Sequence, residues 1–270
     1  MTALSHDRSG SAIVADERPG GAASDLGDEV TVRELTELSE HVAVVDLLGE
    51  IWGRSTNPPV TTEMLRALTK AGHYVSGAFV GSRLVGATIG FASAPGRRIL
   101  HSHIAGVAPD RTGLGIGTAM KLHQRAWALE RELDAIEWTF DPLVSRNAYF
   151  NICKLGALPT EYLVDFYGVM DDGINGADQT DRLLVRWELG ARAAPAGAAP
   201  AGAALPDRAA LRAVAVPDDI ERLRRDDPDG ARAWRQRVRD ELGGLMRADG
   251  RVVGFERGRG YLVHIEEGTP

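Results

Sequence analysis

The chain has 270 residues, 44% of them hydrophobic and 26% charged, proportions that exclude a disordered or collagen-like polymer and allow a sizeable core. A formal net charge of −7 leaves no broad positive field to steer the protein onto nucleic acid or anionic membranes, so neither is an expected partner. The single cysteine, Cys153, excludes an intrachain disulfide framework and a cysteine-based zinc site, and fits a reducing cytoplasm.

Residues 1–29 mix Gly, Ser, Ala, Asp and Arg without a sustained apolar period, so a mobile tail with no export signal is expected there. From Val30 the sequence alternates like a short strand. Ser39 can cap a following helix whose apolar face would carry Val42, Val45, Leu48, Ile51 and Trp52. Thr61 or Thr62 starts a second helix, stopped by Gly72. Three β-rich runs follow at 74–80, 84–91 and 98–107, separated by Gly-Ser and Ala-Pro-Gly turns, which predict an antiparallel meander. Arg83 and four glycines interrupt the most apolar stretch, 74–94, so a membrane helix is not expected.

A glycine-rich loop then leads into a helix with Ile116, Ala119, Met120, His123, Ala126, Trp127 and Glu130 at helical spacing. A strand at 135–140, a helix at 145–154 closed by Gly156, and strands at 163–169 and 183–189 complete this unit. Residues 190–205 are low-complexity Ala, Pro and Gly and read as a linker. Beyond it, residues 206–270 form a small α/β appendage. Asp227-Pro228 starts a helix with Ala231, Trp234, Val238, Leu242 and Leu245 on one face, and a hairpin is expected from 252–255 and 261–265. Arg232, Arg235, Arg237 and Arg239 read as a solvated face, with docking against the catalytic unit as the alternative.

The loop Val107-Ala108-Pro109-Asp110-Arg111-Thr112-Gly113-Leu114-Gly115-Ile116-Gly117-Thr118 sits between a strand and a helix, where backbone amides and the helix dipole can cradle a phosphate. The third glycine of a dinucleotide fingerprint and a Walker lysine are both missing. The bland reading of Gly113, Gly115 and Gly117 is a tight strand-to-helix turn.

This loop, its Val-x-Pro entry and the order of elements over residues 30–189 resemble the GNAT superfamily of acyl-CoA-dependent N-acyltransferases. A Trp-Thr-Phe-Asp-Pro-Leu stretch at 138–143 and Asp181-Arg182 before a strand look closest to a bacterial subgroup of predicted acetyltransferases. The resemblance implies an α+β fold with a mixed, largely antiparallel central sheet flanked by helices. It implies acetyl-CoA or another acyl-CoA as donor, with no metal. The amides from Leu114 to Thr118 would take the pyrophosphate, while Ile104, Ala105, Gly106 and Val107 would line the pantetheine by strand-like hydrogen bonds. The family places an Arg or Gln before the glycines; here that slot is Thr112, with Arg111 one position early.

Acyl transfer to an amine needs a group that removes a proton near neutral pH, and histidine is suited to it. His101 and His103 lie late in the strand before the loop, and period-two alternation puts both on one face. The pair falls where the arylalkylamine N-acetyltransferases also carry two histidines. The alternative is a pair of partly buried sheet residues satisfied by carbonyls.

The tyrosine that the family often uses to protonate the leaving thiolate is replaced by Ile152; Tyr149, one helical turn earlier, is the nearest hydroxyl and could equally pack in the core. Asn147 and Asn151 could bind the pantetheine amides or cap and face water. Asp141 could bind the amine or serve as a turn residue before Pro142. Trp138, with Trp52, Phe166 and Tyr167, could wall the acceptor pocket or belong to the core. The expected activity is transfer of an acetyl or other short acyl group, succinyl included, to a primary amine of an amino acid or small metabolite. A homodimer is compatible with the sequence, and the rival reading is a non-catalytic acyl-CoA-binding regulatory module.

Overall fold

The computed structural model describes residues 29–54, 57–168, 178–190 and 211–265. The tail at 1–28 and the linker at 191–205 lie outside the described residues. Two compact units emerge: one from residues up to Phe91 together with 103–127, the other from 92–102 together with the chain after Trp127.

In the first unit, β1 (Val30–Glu34), β2 (Tyr74–Val80) and β3 (Arg83–Ala92) pair antiparallel in that order, with Val30 opposite Val80 and Ser76 opposite Thr88. The fourth strand, β4 (Ile99–Val107), follows β3 in the order. Helix α1 (Leu38–Ile51) starts at Glu37 rather than at the expected Ser39. Glu40 decides this, because its carboxylate accepts from the amides of both Thr36 and Glu37 at 3.0 Å. Of the expected apolar face, Leu48 is buried and Val45, Ile51 and Trp52 pack against the core, while Val42 is exposed; His41, Val44 and Leu47 face inward as well. Helix α2 (Thr62–Lys70) is capped by Thr61, whose hydroxyl accepts from the Met64 amide. These helices bury Leu35, Val44, Leu48 and Leu65 against Val75, Ala87, Ile89 and Ile104.

Helix α3 (Ile116–Glu130) packs Ile116, Ala119 and Met120 on Val32, Ala78 and Val85. It also buries Lys121 and Gln124, which the apolar period did not mark.

In the second unit, β5 (Ala135–Phe140) runs parallel to β4, with Ile99 opposite Ala135 and His101 opposite Glu137, where that register ends. A parallel pair needs a crossover, and the chain supplies α3. On its other side β5 pairs antiparallel with β7 (Arg182–Glu188), which pairs antiparallel with β6 (Leu158–Leu163). The strand expected at 163–169 is therefore displaced. Pairing ends at Leu163, and Asp165, at φ 46°, begins a turn whose backbone bonds to Thr180. The helix expected at 145–154 is α4 (Ser145–Ala148), continued by a wider π turn, Tyr149–Lys154.

The C-terminal region belongs to this second unit. It comprises β8 (Leu211–Val214), α5 (Ile220–Asp226), α6 (Pro228–Val238) with a π turn, the short α7 (Gly244–Arg247), β9 (Arg251–Glu256) and β10 (Gly260–His264). The expected Asp227-Pro228 start and terminal hairpin are present, with β10 central in a β8-β10-β9 sheet. The fold class is α+β, with a large, mostly antiparallel sheet flanked by helices. Among the described residues no helix is long and apolar enough to cross a membrane.

Candidate active site

The glycine loop follows β4 directly. Pro109–Arg111 forms one 3-10 turn, and the Ala108 amide donates to the Val85 carbonyl at 2.9 Å, fixing where the strand ends. Arg83 clasps Asp110 through two hydrogen bonds of 2.7 and 3.1 Å, and this guanidinium holds the Asp110 carboxyl below its ordinary pKa. Gly113 and Gly115 have φ of 83° and 81°, a left-handed backbone that side-chain-bearing residues avoid. A Cβ on either would meet nothing within 4 Å, so the glycines are there for conformation and not for space. The amides of Thr118 and Ala119 turn back to the Gly115 carbonyl, which leaves α3 opening with its first amides directed out of the helix.

The Thr112 hydroxyl donates to the Pro109 carbonyl at 3.2 Å, so it closes the turn in place of the cofactor contact expected of it. Leu114 is exposed, while Ile116 packs in the core and offers only its backbone. Upstream, Ile104 and Gly106 face the core and Ala105 and Val107 the other side. A side chain at Gly106 would run into Trp52 and Ile51 of α1 at 2.9 and 3.0 Å, so glycine is required for α1 to lie on β4.

His101 and His103 lie on one face of β4, alternating with buried Ser102 and Ile104. His103 keeps an exposed edge; burial of the rest of the ring, beside Phe91 at 5.6 Å between centroids, lowers its pKa below the ordinary 6.5. It is therefore mostly neutral near pH 7.

The other expected site residues lie in the second unit, several in different roles. Trp138 is buried, stacks edge-on with Trp187 and donates its indole N–H to Asn151 Oδ1 at 3.2 Å. Trp138 is thus a core residue in place of an acceptor wall, and Asn151 is a core partner in place of a pantetheine ligand. Asn147 is half-buried on α4. Tyr149 is half-buried, with the Arg257 guanidinium 4.1 Å above its ring. Ile152 is buried, and the Cys153 thiol donates to the Phe255 carbonyl at 3.1 Å.

Of its two expected readings Asp141 takes the turn role, its side chain and carbonyl accepting the Leu143 and Val144 amides, and in place of an open carboxylate for an amine it is a buried anion. Arg235 donates to both its oxygens at 2.7 and 2.9 Å, Arg224 donates to Oδ2, and the Leu143 amide donates to Oδ1. Arg235 also reaches Asp178 at 2.8 Å, and Arg182 lies 3.8 Å from Asp141. The nearby Asp181 accepts from the Tyr162 hydroxyl, the Asp165 amide and Arg239. The residues that carried the subgroup resemblance, Asp141 and Asp181-Arg182, thus meet in one network. Arg235, only 2% exposed, corrects its assignment to a solvated face. A signal was present: Arg235 falls between Ala231, Val238 and Leu242 at helical spacing.

No family model matches the chain, and no curated protein matches it. Solved structures do. An N-acetyltransferase from Staphylococcus aureus Mu50 superposes with a TM-score of 0.50 at 12% identity, covering 59% of this chain and 98% of that one. An acetyltransferase of the GNAT family from Streptococcus pneumoniae gives 0.50 at 15%, covering 60% and 100%. The chain has the GNAT fold. The glycine loop and His103 belong to the first unit, and the buried arginine–aspartate network belongs to the second.

Proposed function

We propose that the protein is an acyl-CoA-dependent N-acyltransferase that moves an acetyl or other short acyl group to a primary amine of an amino acid or small metabolite. The observation that carries the reading is the loop of Gly113 and Gly115, whose positive φ values lead into the outward first amides of α3, a cradle suited to the pyrophosphate of coenzyme A. The likeness to acetyltransferases of known structure supports the fold part of this argument.

In this reading the amides of residues 114–117 bind the pyrophosphate, the Thr118 amide being engaged by the Gly115 carbonyl, and the backbone of Ile104–Val107 pairs with the pantetheine. His103, with His101 beside it on the same face, takes a proton from the acceptor ammonium, directly or through water. The freed amine nitrogen attacks the thioester carbonyl carbon, the C–S bond breaks, and the thiolate leaves with a proton assigned to Tyr149. Neither the acyl chain nor the acceptor is fixed by a residue of the chain, so succinyl stands beside acetyl as donor.

One observation favours a second reading, a non-catalytic acyl-CoA-binding module: the usual hydroxyl position is the buried Ile152. Thiol release from acetyl-, propionyl- and succinyl-CoA, measured against a panel of primary amines, separates the two. Amine-dependent release supports the enzyme. Tight acyl-CoA binding with no release on any amine supports the module.

A further inference from the structure

Residues 141–154, which run from the end of β5 through α4 and its π turn, are held along their length by the C-terminal segment. Arg235 and Arg224 grip Asp141 at the start. One residue on, the Tyr261 hydroxyl donates to the Pro142 carbonyl at 2.8 Å, from a side chain that is fully buried. Glu221 pairs with Arg146 through both guanidinium nitrogens, one bond measuring 2.6 Å. Arg257 covers the Tyr149 ring, and the Phe255 carbonyl accepts from the Cys153 thiol. Six contacts, from α5, α6, β9, β10 and the turn between these two strands, therefore fall on fourteen consecutive residues.

Asp141 is the pivot of this arrangement, since its backbone carbonyl accepts the Val144 amide and its side chain the Leu143 amide, which together set where α4 begins. A four-residue helix followed by a π turn has too few internal hydrogen bonds to hold its own direction. Its orientation must come from what packs on it.

We propose that the C-terminal segment, residues 211–264, is a positioning clamp that sets the orientation of α4 and of Tyr149, with Arg235 and Arg257 as its positioning residues. This rests on the acyl-transfer reading for its effect on rate, because Tyr149 is assigned to that chemistry. The clamp itself rests only on the contacts. A truncation after residue 190 would take Arg224 and Arg235 from Asp141 and Asp178 and Arg239 from Asp181, leaving Asp141 only the more distant Arg182 among its arginines, so the segment is not a separable appendage.

The test uses the full chain and two readouts. Arg235→Met removes the grip on Asp141, and Arg257→Ala, at an exposed position, removes only the cover on Tyr149 and keeps the experiment available should the first variant not fold; Arg257→Lys is the conservative control. Amide exchange is measured over residues 141–154, and kcat and the KM for acetyl-CoA are measured with an amine that supports turnover. The proposal expects at least tenfold faster exchange in 141–154 for Arg235→Met. For Arg257→Ala it expects kcat down about tenfold with an unchanged KM for acetyl-CoA, and partial recovery in Arg257→Lys. Unchanged exchange in 141–154 overturns the clamp. Faster exchange with unchanged kcat overturns its role in positioning. If the parent protein turns over no acyl-CoA, the acyl-transfer reading fails instead, and the exchange arm alone decides the clamp.

Discussion

Arg235 and Asp141 stand 94 positions apart and meet through two parallel hydrogen bonds of 2.7 and 2.9 Å, in a site where both side chains are almost wholly buried. Removing one partner of such a pair leaves a buried charge uncompensated, which costs about 3–5 kcal/mol, whereas removing both costs far less than the sum.

Asp141→Ala is therefore expected to lower the free energy of unfolding by about 3–5 kcal/mol, and Asp141→Ala combined with Arg235→Met by less than the two changes added. The arginines hold the Asp141 carboxyl far below its ordinary range. Its contribution is present above the unfolded-state value of about 3.9 and is lost as the pH falls below it. Urea unfolding at pH 7 and pH 3 checks both statements. Additive losses, or an equal penalty at the two pH values, would contradict them.

Lys121 gives a slope of the same sign in a higher pH window, as a group whose burial destabilises the fold at pH 7. Burial pushes its ammonium down to about 7, while its Nζ donates to Gln124 Oε1 at 3.2 Å. Between about pH 7 and the unfolded-state value of about 10.4, the unfolded chain binds a proton that the folded chain does not, so stability rises with pH across that window. Lys121→Met should raise the melting temperature at pH 7 and flatten the rise. A lower melting temperature at pH 7 with the slope retained would show that the amine is not the cause.

Gly115→Val tests the cradle. Nothing lies within 4 Å of a Cβ at this position, so the change acts through the positive φ, at a cost of order 1–3 kcal/mol, and not by collision in the free protein. Calorimetric titration should show acetyl-CoA affinity reduced at least tenfold with the melting temperature only slightly lowered. Unchanged affinity would remove the loop from the site.

Most of the scaffold was legible in the sequence, because short-range signals decide it. The Gly72 stop, the Thr61 cap, the Gly81-Ser82 turn and the Asp227-Pro228 start all lie within the elements they delimit. What the sequence leaves open depends on partners beyond the local element. Asp141 reads as an amine ligand or a turn residue until Arg235 is placed beside it, and Trp138 as a pocket wall or a core residue until Asn151 meets its indole. The 163–169 run reads as a strand because Val164, Phe166 and Tyr167 have β propensity. Thr180, bonding the turn backbone, overrides that preference. The loop conformation at Gly113 and Gly115 was foreseeable, and the loss of the Thr112 hydroxyl to Pro109 was not.

Tyr149→Phe keeps the ring under Arg257 and removes only the hydroxyl. A general acid contributes about 10²- to 10⁴-fold at most steps that need one, and a thiolate needs less help than an alkoxide. The expected result is a fall in kcat toward the lower end of that range with acetyl-CoA affinity unchanged. Turnover at the parental rate would return Tyr149 to a packing role.

The most direct test is the double variant His101→Ala, His103→Ala, assayed for amine-dependent thiol release from acetyl-CoA alongside calorimetric binding of the same donor. In the proposed mechanism the histidines act on the amine proton and not on the pyrophosphate, and burial lowers the His103 pKa below the ordinary 6.5. The account predicts that the parent protein loses activity on an acidic limb below that value, and that the variant binds acetyl-CoA normally while its release rate falls at least a hundredfold. Parental turnover by the variant across the pH range would contradict it.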